Sequence, residues 1–278
     1  MRVNPIINDK NKVLFIIPSL VIYFILSSSI FSVEPDKKLF TNCIYPTVLV
    51  VDKIGSYSTG VVLKSKKVGD EYHNIGLTAD HGSLTRKITI QVFEYENYQP
   101  SHTSKYDGIT YYGNKFYDLS VFVFISEKEI STAKTANKNI PTYMGQAITK
   151  VACGLGDPPR VDLGIVSGKN RLLTHSILKK MQLSIFTLPG DSGSAIFDEN
   201  REIIGWTQSI RTIPDQSIFN VAYAIPVDQM HQMLGLSKLD FVLNEEELPV
   251  LPWLEIKINS NKNNRAIPIN PWLNMIEG

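Results

Sequence analysis

Three short stretches of this 278-residue chain carry side chains that could act together on a carbonyl group. Ser192 lies in "LPGDSGSAIFD" (188–198), His81 in "LTADHG" (77–82) and Asp118 in "YDLSVFVF" (117–124). A serine hydroxyl is a poor nucleophile until a base takes its proton, and the usual base is a histidine oriented by a carboxylate. Taken singly, each stretch reads as something plainer. Gly-Asp-Ser-Gly is a set of turn formers, an aspartate ahead of a strand is a common turn cap, and a lone histidine at a strand end is usually structural. The other histidines, His73, His102, His175 and His231, sit in no comparable setting. Asp107 is a rival carboxylate, but "KYDGIT" lacks the apolar strand that follows Asp118.

The elements that must position these residues are short strands. "YPTVLVVDK", "STGVVLKSK", "YHNIGLTAD", "KITIQVFEY", "ITYYG" and "DLSVFVFIS" are rich in Val, Ile, Tyr, Phe and Thr and are punctuated by Gly, Pro, Asn and Asp. A second series runs through "AITKVACGLG", "DLGIVSGK", "KKMQLSIF", "GSAIFDEN", "EIIGWTQS" and "FNVAYAIP". Strands at this spacing with no regular helix between them predict antiparallel barrels or sandwiches, hence an all-β fold. Two series imply two β-domains, over 42–128 and 146–235, joined by a polar linker over 129–145. His81, Asp118 and Ser192 would then stand on three strand ends facing one cleft. One helix is expected, "PVDQMHQMLGL", which opens after Pro226 and closes at Gly235. The proline- and Asn-rich residues 236–278 read as a tail or docking arm.

Composition narrows the partners. Lys plus Arg (28) nearly cancel Asp plus Glu (27), so no strongly basic face is expected and nucleic acid is not a predicted partner. Residues 1–33 stand apart. Arg2, Lys10 and Lys12 precede an uncharged run from Val13 to Val33, which predicts a signal peptide or a membrane anchor, with the following chain extracytoplasmic. An apolar N-terminal helix is expected there, giving a membrane contact if it is not cleaved. Cys43 and Cys153 could pair in an oxidising compartment or could be two small buried hydrophobes; they form no zinc pattern, and no metal or cofactor is expected.

In this order the three motifs resemble those of the chymotrypsin-fold, trypsin-like serine proteases: Thr-Ala-x-His in "LTADH", Asp-Leu-x-Val in "DLSVFVF", and Gly-Asp-Ser-Gly in "PGDSGSAIFD". "STGVVL", "DLGIVSG", "EIIGWTQS" and "VAYAIPVDQM" extend the similarity over roughly 42–235 and look most like bacterial-type, HtrA-like branches, here without a PDZ domain after residue 235. The resemblance implies two six-stranded antiparallel β-barrels with a short C-terminal helix. It also implies a triad of Ser192 (nucleophile), His81 (general base, then acid) and Asp118 (orienting carboxylate). The N–H groups of Gly190 and Ser192 would form the oxyanion hole, and the substrates would be proteins or peptides.

The departures from the family pattern carry expectations of their own. Gly82 replaces a cysteine common in animal enzymes, and no Arg/Lys-Ile-Val-Gly-Gly activation site is present. Asp191 is therefore expected to have a partner other than a newly cut N-terminal amine, or an exposed side chain, because an unpaired buried carboxylate is costly. Phe186 stands where trypsin-like enzymes carry the aspartate that attracts Lys or Arg. With Thr187, Ser209 and Val221 it is expected to line an uncharged pocket favouring small or apolar residues before the cut. Thr207 stands where glutamyl endopeptidases have a histidine, which argues against glutamate preference. A closed site on the same fold would give a binding or chaperone-like protein, and a fixed internal cut would mark a protease that processes only itself.

Overall fold

A computed structural model describes residues 35–83, 85–172, 179–213, 216–239 and 242. The apolar run at 13–33 and nearly all of the expected tail lie outside the described residues. Twelve strands close into two barrels. In the first, β1 (Thr47–Asp52), β2 (Tyr57–Val68), β3 (Glu71–Thr78), β4 (Lys87–Glu96), β5 (Gln99–Asn114) and β6 (Leu119–Ser126) run in the spatial order β1-β2-β3-β6-β5-β4. In the second, β7 (Ala147–Ala152), β8 (Arg160–Leu172), β9 (Lys179–Ser184), β10 (Ala195–Phe197), β11 (Ile203–Ile213) and β12 (Gln216–Pro226) repeat that winding as β7-β8-β9-β12-β11-β10. All pairings between these strands are antiparallel, and β1–β4 and β7–β10 close the barrels. The expected all-β architecture of two six-stranded barrels is therefore the observed one.

The strand β6 shows why two barrels hold together. In "LSVFVFIS" both parities are apolar, which for a period-2 element means two buried faces. Phe122 and Phe124 point into barrel one, among Val48, Val50, Val62, Ile88 and Ile90. Leu119, Val121 and Val123 point the other way, into a cluster shared with Val151, Ala195, Phe197, Ile203 and Trp206 of barrel two. The second barrel has its own interior of Ile148, Val166, Met181, Leu183, Ile196 and Ile204.

The closing helix, Val227–Leu236, starts at Pro226, whose fixed φ (−65°) suits a helix start, and carries Asp228 in its first turn. It buries Met230, Met233 and Leu234 on the shared cluster. A short helical segment, Lys37–Leu39 continuing through Phe40–Ile44, packs at the entry to barrel one. There Phe40 meets Tyr45, Tyr95 and Tyr98 edge-on, with ring centroids 4.7–6.2 Å apart. Among the described residues no helix is long and apolar enough to cross a membrane.

Candidate active site

The His81 side of the site is built by two turns of barrel one. β3 ends at Thr78, and the chain enters a single tight helical turn, Asp80–Gly82, closed by the Ser83 N–H on the Asp80 carbonyl (3.0 Å). Opposite it, the β5–β6 turn is folded by Asn114, whose Oδ1 accepts the N–H groups of Phe116 (3.0 Å) and Tyr117 (3.2 Å). Asp118 leaves that turn in the left-handed region (φ 53°), a conformation aspartate tolerates better than most residues. The turn aims its carboxylate at His81. Both oxygens lie 2.8 Å from His81 Nδ1, and Oδ1 also accepts the His81 backbone N–H at 2.9 Å. With Nδ1 committed as donor to Asp118, Nε2 is the nitrogen left to accept a proton. The His81 side chain is 53% exposed and that of Asp118 14%. The hydrogen bond to Asp118 raises the His81 pKa above the ordinary imidazole value, against the opposing pull of partial burial.

The serine side comes from the loop between β9 and β10. Gly190 and Gly193 have φ of 93° and 85°, a region that L side chains rarely adopt. A Cβ on Gly193 would stand 2.3 Å from the Thr59 carbonyl oxygen and 2.6 Å from the Ala79 nitrogen. The loop therefore presses against the backbone two residues before His81, and only glycine permits that approach. Thr59 locks the seam further: its N–H donates to the Ser192 carbonyl (2.9 Å) and its hydroxyl to the Gly190 carbonyl (2.8 Å). Ser192 Oγ rests against the Gln208 carbonyl at 3.4 Å, a long hydrogen bond, and is not bonded to His81. Unliganded sites often tighten only with substrate present.

Around Ser192 the backbone donors are sorted. The Asp191 N–H is used by Leu188 (3.0 Å) and the Gly193 N–H by Thr207 (2.8 Å), whereas those of Gly190 and Ser192 have no acceptor among the described residues. The Pro189 carbonyl accepts from the Leu155 N–H at 2.8 Å. Since C=O and N–H of one trans peptide point oppositely, this bond turns the Gly190 N–H the other way. Leu155 does this from the left-handed region (φ 59°), an unusual place for leucine.

Beneath the loop, Asp191 is fully buried and answers the question raised by the sequence. Its Oδ2 accepts from Lys150 Nζ (2.6 Å) and Arg160 (2.5 Å), and also from the Leu188 N–H (2.9 Å). Lys150 is itself 0% exposed and further donates to the Thr187 hydroxyl (3.0 Å) and the Phe186 carbonyl. Asp162 pairs with both cations, at 3.3 and 3.2 Å. Two carboxylates and two cations thus balance formally. Burial lowers the Lys150 pKa, opposed by Asp191; burial also pulls on Arg160, but Asp191 and Asp162 together outweigh it and hold its pKa above the ordinary value.

The remaining sequence-expected residues lie close by. Phe186 is 46% exposed, with the Arg160 guanidinium 5.6 Å from its ring centroid. Thr187 is buried, and its N–H donates to the Phe219 carbonyl (2.7 Å). Val221, half-buried, pairs with Ser184, and half-buried Ser209 pairs with Tyr223. Thr207 is buried and its hydroxyl accepts from Ser194 Oγ (2.9 Å). Cys43 and Cys153 are both free and buried; burial pushes the Cys43 thiol up to about 12 and raises Cys153 as well. Among the described residues no group of His, Cys, Asp or Glu is arranged to hold a metal ion. Sequence reasoning missed Lys150, Arg160, Asp162 and Leu155. Lys150 shares the inward parity of the apolar strand "AITKVA", where alternation calls for an apolar residue, so the sequence carried no direct signal for its role.

Comparison with known proteins agrees with this geometry. Residues 58–205 match the trypsin-like peptidase domain family, a span that includes His81, Asp118 and Ser192. The chain belongs to the trypsin-like peptidases. It is also 27% identical over 110 residues to a probable periplasmic serine endoprotease, DegP-like, from Pseudomonas putida (strain W619). That similarity covers 36% of this chain and 23% of the relative, so the chain spans under a quarter of that protein's length.

Proposed function

We propose that this trypsin-like peptidase is an exported serine endopeptidase working through His81, Asp118 and Ser192. The observation that carries the reading is the two-oxygen grip of Asp118 on His81 Nδ1, with the Ser192 loop seated on the backbone that leads into His81. In the reaction, His81 Nε2 takes the proton from Ser192 Oγ as that oxygen bonds to the substrate carbonyl carbon. The free N–H groups of Gly190 and Ser192 stabilise the oxygen that becomes negative. The imidazolium, steadied by Asp118, then protonates the departing amine as the C–N bond breaks. Water, deprotonated by His81, releases the acyl group and restores the serine.

The absence of charge at Phe186, Thr187, Ser209 and Val221 supports a preference for apolar or small residues before the cut. The uncharged run at 13–33 and the relative's description as periplasmic support an extracytoplasmic location, with membrane attachment if that run is retained. A fluorophosphonate probe tests the chemistry: the full chain is expected to label at Ser192 and Ser192→Ala not at all. A folded wild-type chain that takes no label and cleaves no member of a peptide library would sink the proposal.

A further inference from the structure

Asp80 is absent from the mechanism above, yet it is the residue immediately before His81 and only 9% exposed. Its Oδ1 accepts from the fully buried Ser120 hydroxyl at 2.8 Å. Ser120 sits two residues beyond Asp118 on β6, paired with Thr78 on one side and Gly113 on the other. Gly113 matters for room: a Cβ there would lie 2.3 Å from Asp80 Oδ1 and 3.2 Å from Ser120 Oγ. The carboxylate therefore fills a niche left by a missing side chain, bridging the turn that carries His81 to the strand that carries Asp118. No cation is bonded to it among the described residues, so its negative charge is left uncompensated.

We propose that Asp80 is a positioning residue of the active site, which pins the His81 turn to β6 through Ser120 and places a second negative charge behind the imidazole. The inference rests on the peptidase reading for its kinetic meaning but not for its geometry. The charged groups acting on His81 are Asp118, at the turn before β6, and Asp80 from its own turn; Lys180 of β9, buried, interacts electrostatically with Asp118. Both carboxylates favour the protonated imidazole, adding to the rise in its pKa. The sign follows. Removing the Asp80 charge makes His81 lose its proton at lower pH, so the acid limb of kcat/KM moves to lower pH. It also stabilises the imidazolium less during reaction, so the plateau falls.

The decisive variant is Asp80→Asn, which keeps an acceptor for Ser120 and deletes only the charge. In the full chain carrying Ser192→Ala, NMR titration of the His81 ring is expected to show a midpoint about half a unit to one unit lower with Asp80→Asn added. In the active chain the acid limb should move by the same amount, with plateau kcat/KM down about three- to tenfold. Ser120→Ala, which frees the carboxylate without removing it, should move the midpoint less than Asp80→Asn does. Superposed midpoints with and without Asp80→Asn would overturn the proposal and leave Asp80 a simple turn-holding group. If Asp80→Asn does not fold, Asp80→Glu is read the same way, since a displaced charge must move the midpoint. If the wild-type chain takes no fluorophosphonate label, the peptidase reading falls, while the His81 titration still decides the role of Asp80.

Discussion

The His81 turn and the Ser192 loop occupy the same topological place, each between the third and fourth strands of its barrel. In each, the chemically important residue follows a buried aspartate, Asp80 in barrel one and Asp191 in barrel two. The two aspartates are held in opposite ways. Asp80 is held by a neutral hydroxyl with no cation bonded to it among the described residues, whereas Asp191 is held by two cations. That difference matches the charges each side must tolerate during peptide hydrolysis. In the proposed mechanism a positive imidazolium forms on the barrel-one side, where an uncancelled carboxylate would help. The oxygen proposed to become negative would lie on the barrel-two side, where an uncancelled carboxylate would repel it. One scaffold position has thus been given a field-producing version and a field-free, load-carrying version.

The sharpest way to break the comparison is to remove function from one barrel without touching its stability. Asp118→Asn is expected to cost about 10⁴-fold in kcat by misorienting the His81 tautomer. Its effect on the melting temperature should be small, because the pair lies at a surface. Lys150→Met attacks the other barrel and should cost both. Leaving Asp191 and Asp162 with a single cation is expected to destabilise the fold by about 3–5 kcal/mol in chemical denaturation. Loss of the tie to Phe186 and Thr187 should also slow fluorophosphonate labelling by about 10²-fold. If Lys150→Met unfolds normally, the buried charges do not hold the loop. The smallest change expected is in specificity. Phe186→Asp should shift a peptide-library profile toward Lys or Arg before the cut, and an unchanged profile would remove Phe186 from the pocket.

The fold and the main functional candidates were legible for a common reason. Each sits where a period-2 apolar pattern meets turn residues, as in "LTADHG" and "DLSVFVF", and such local signals survive without knowledge of the partner strand. The two buried faces of β6 could be read from the same string. Lys150 could not. In "AITKVA" it shares parity with Ile148, which faces the interior of barrel two, so alternation calls for an apolar residue there. What makes a lysine tolerable is Asp191, far along the chain, and only the closed barrel brings the two together. Leu155 was hidden for a related reason: a left-handed leucine leaves no compositional trace. Asp80 lies within the His81 motif, but its role depends on Ser120 and on space at Gly113, neither of which is local to it.

The hydrogen bond from Leu155 to Pro189 has one more consequence. A peptide unit carries a dipole of about 3.5 D, and this single bond fixes the direction in which the 189–190 unit points. Half a turn of that unit would put a carbonyl oxygen where the Gly190 N–H now points, converting the proposed anion-accepting surface into an anion-rejecting one without moving any side chain. The polarity of the proposed oxyanion pocket thus hangs on the orientation of one amide plane, and the strained backbone of Leu155 is its latch.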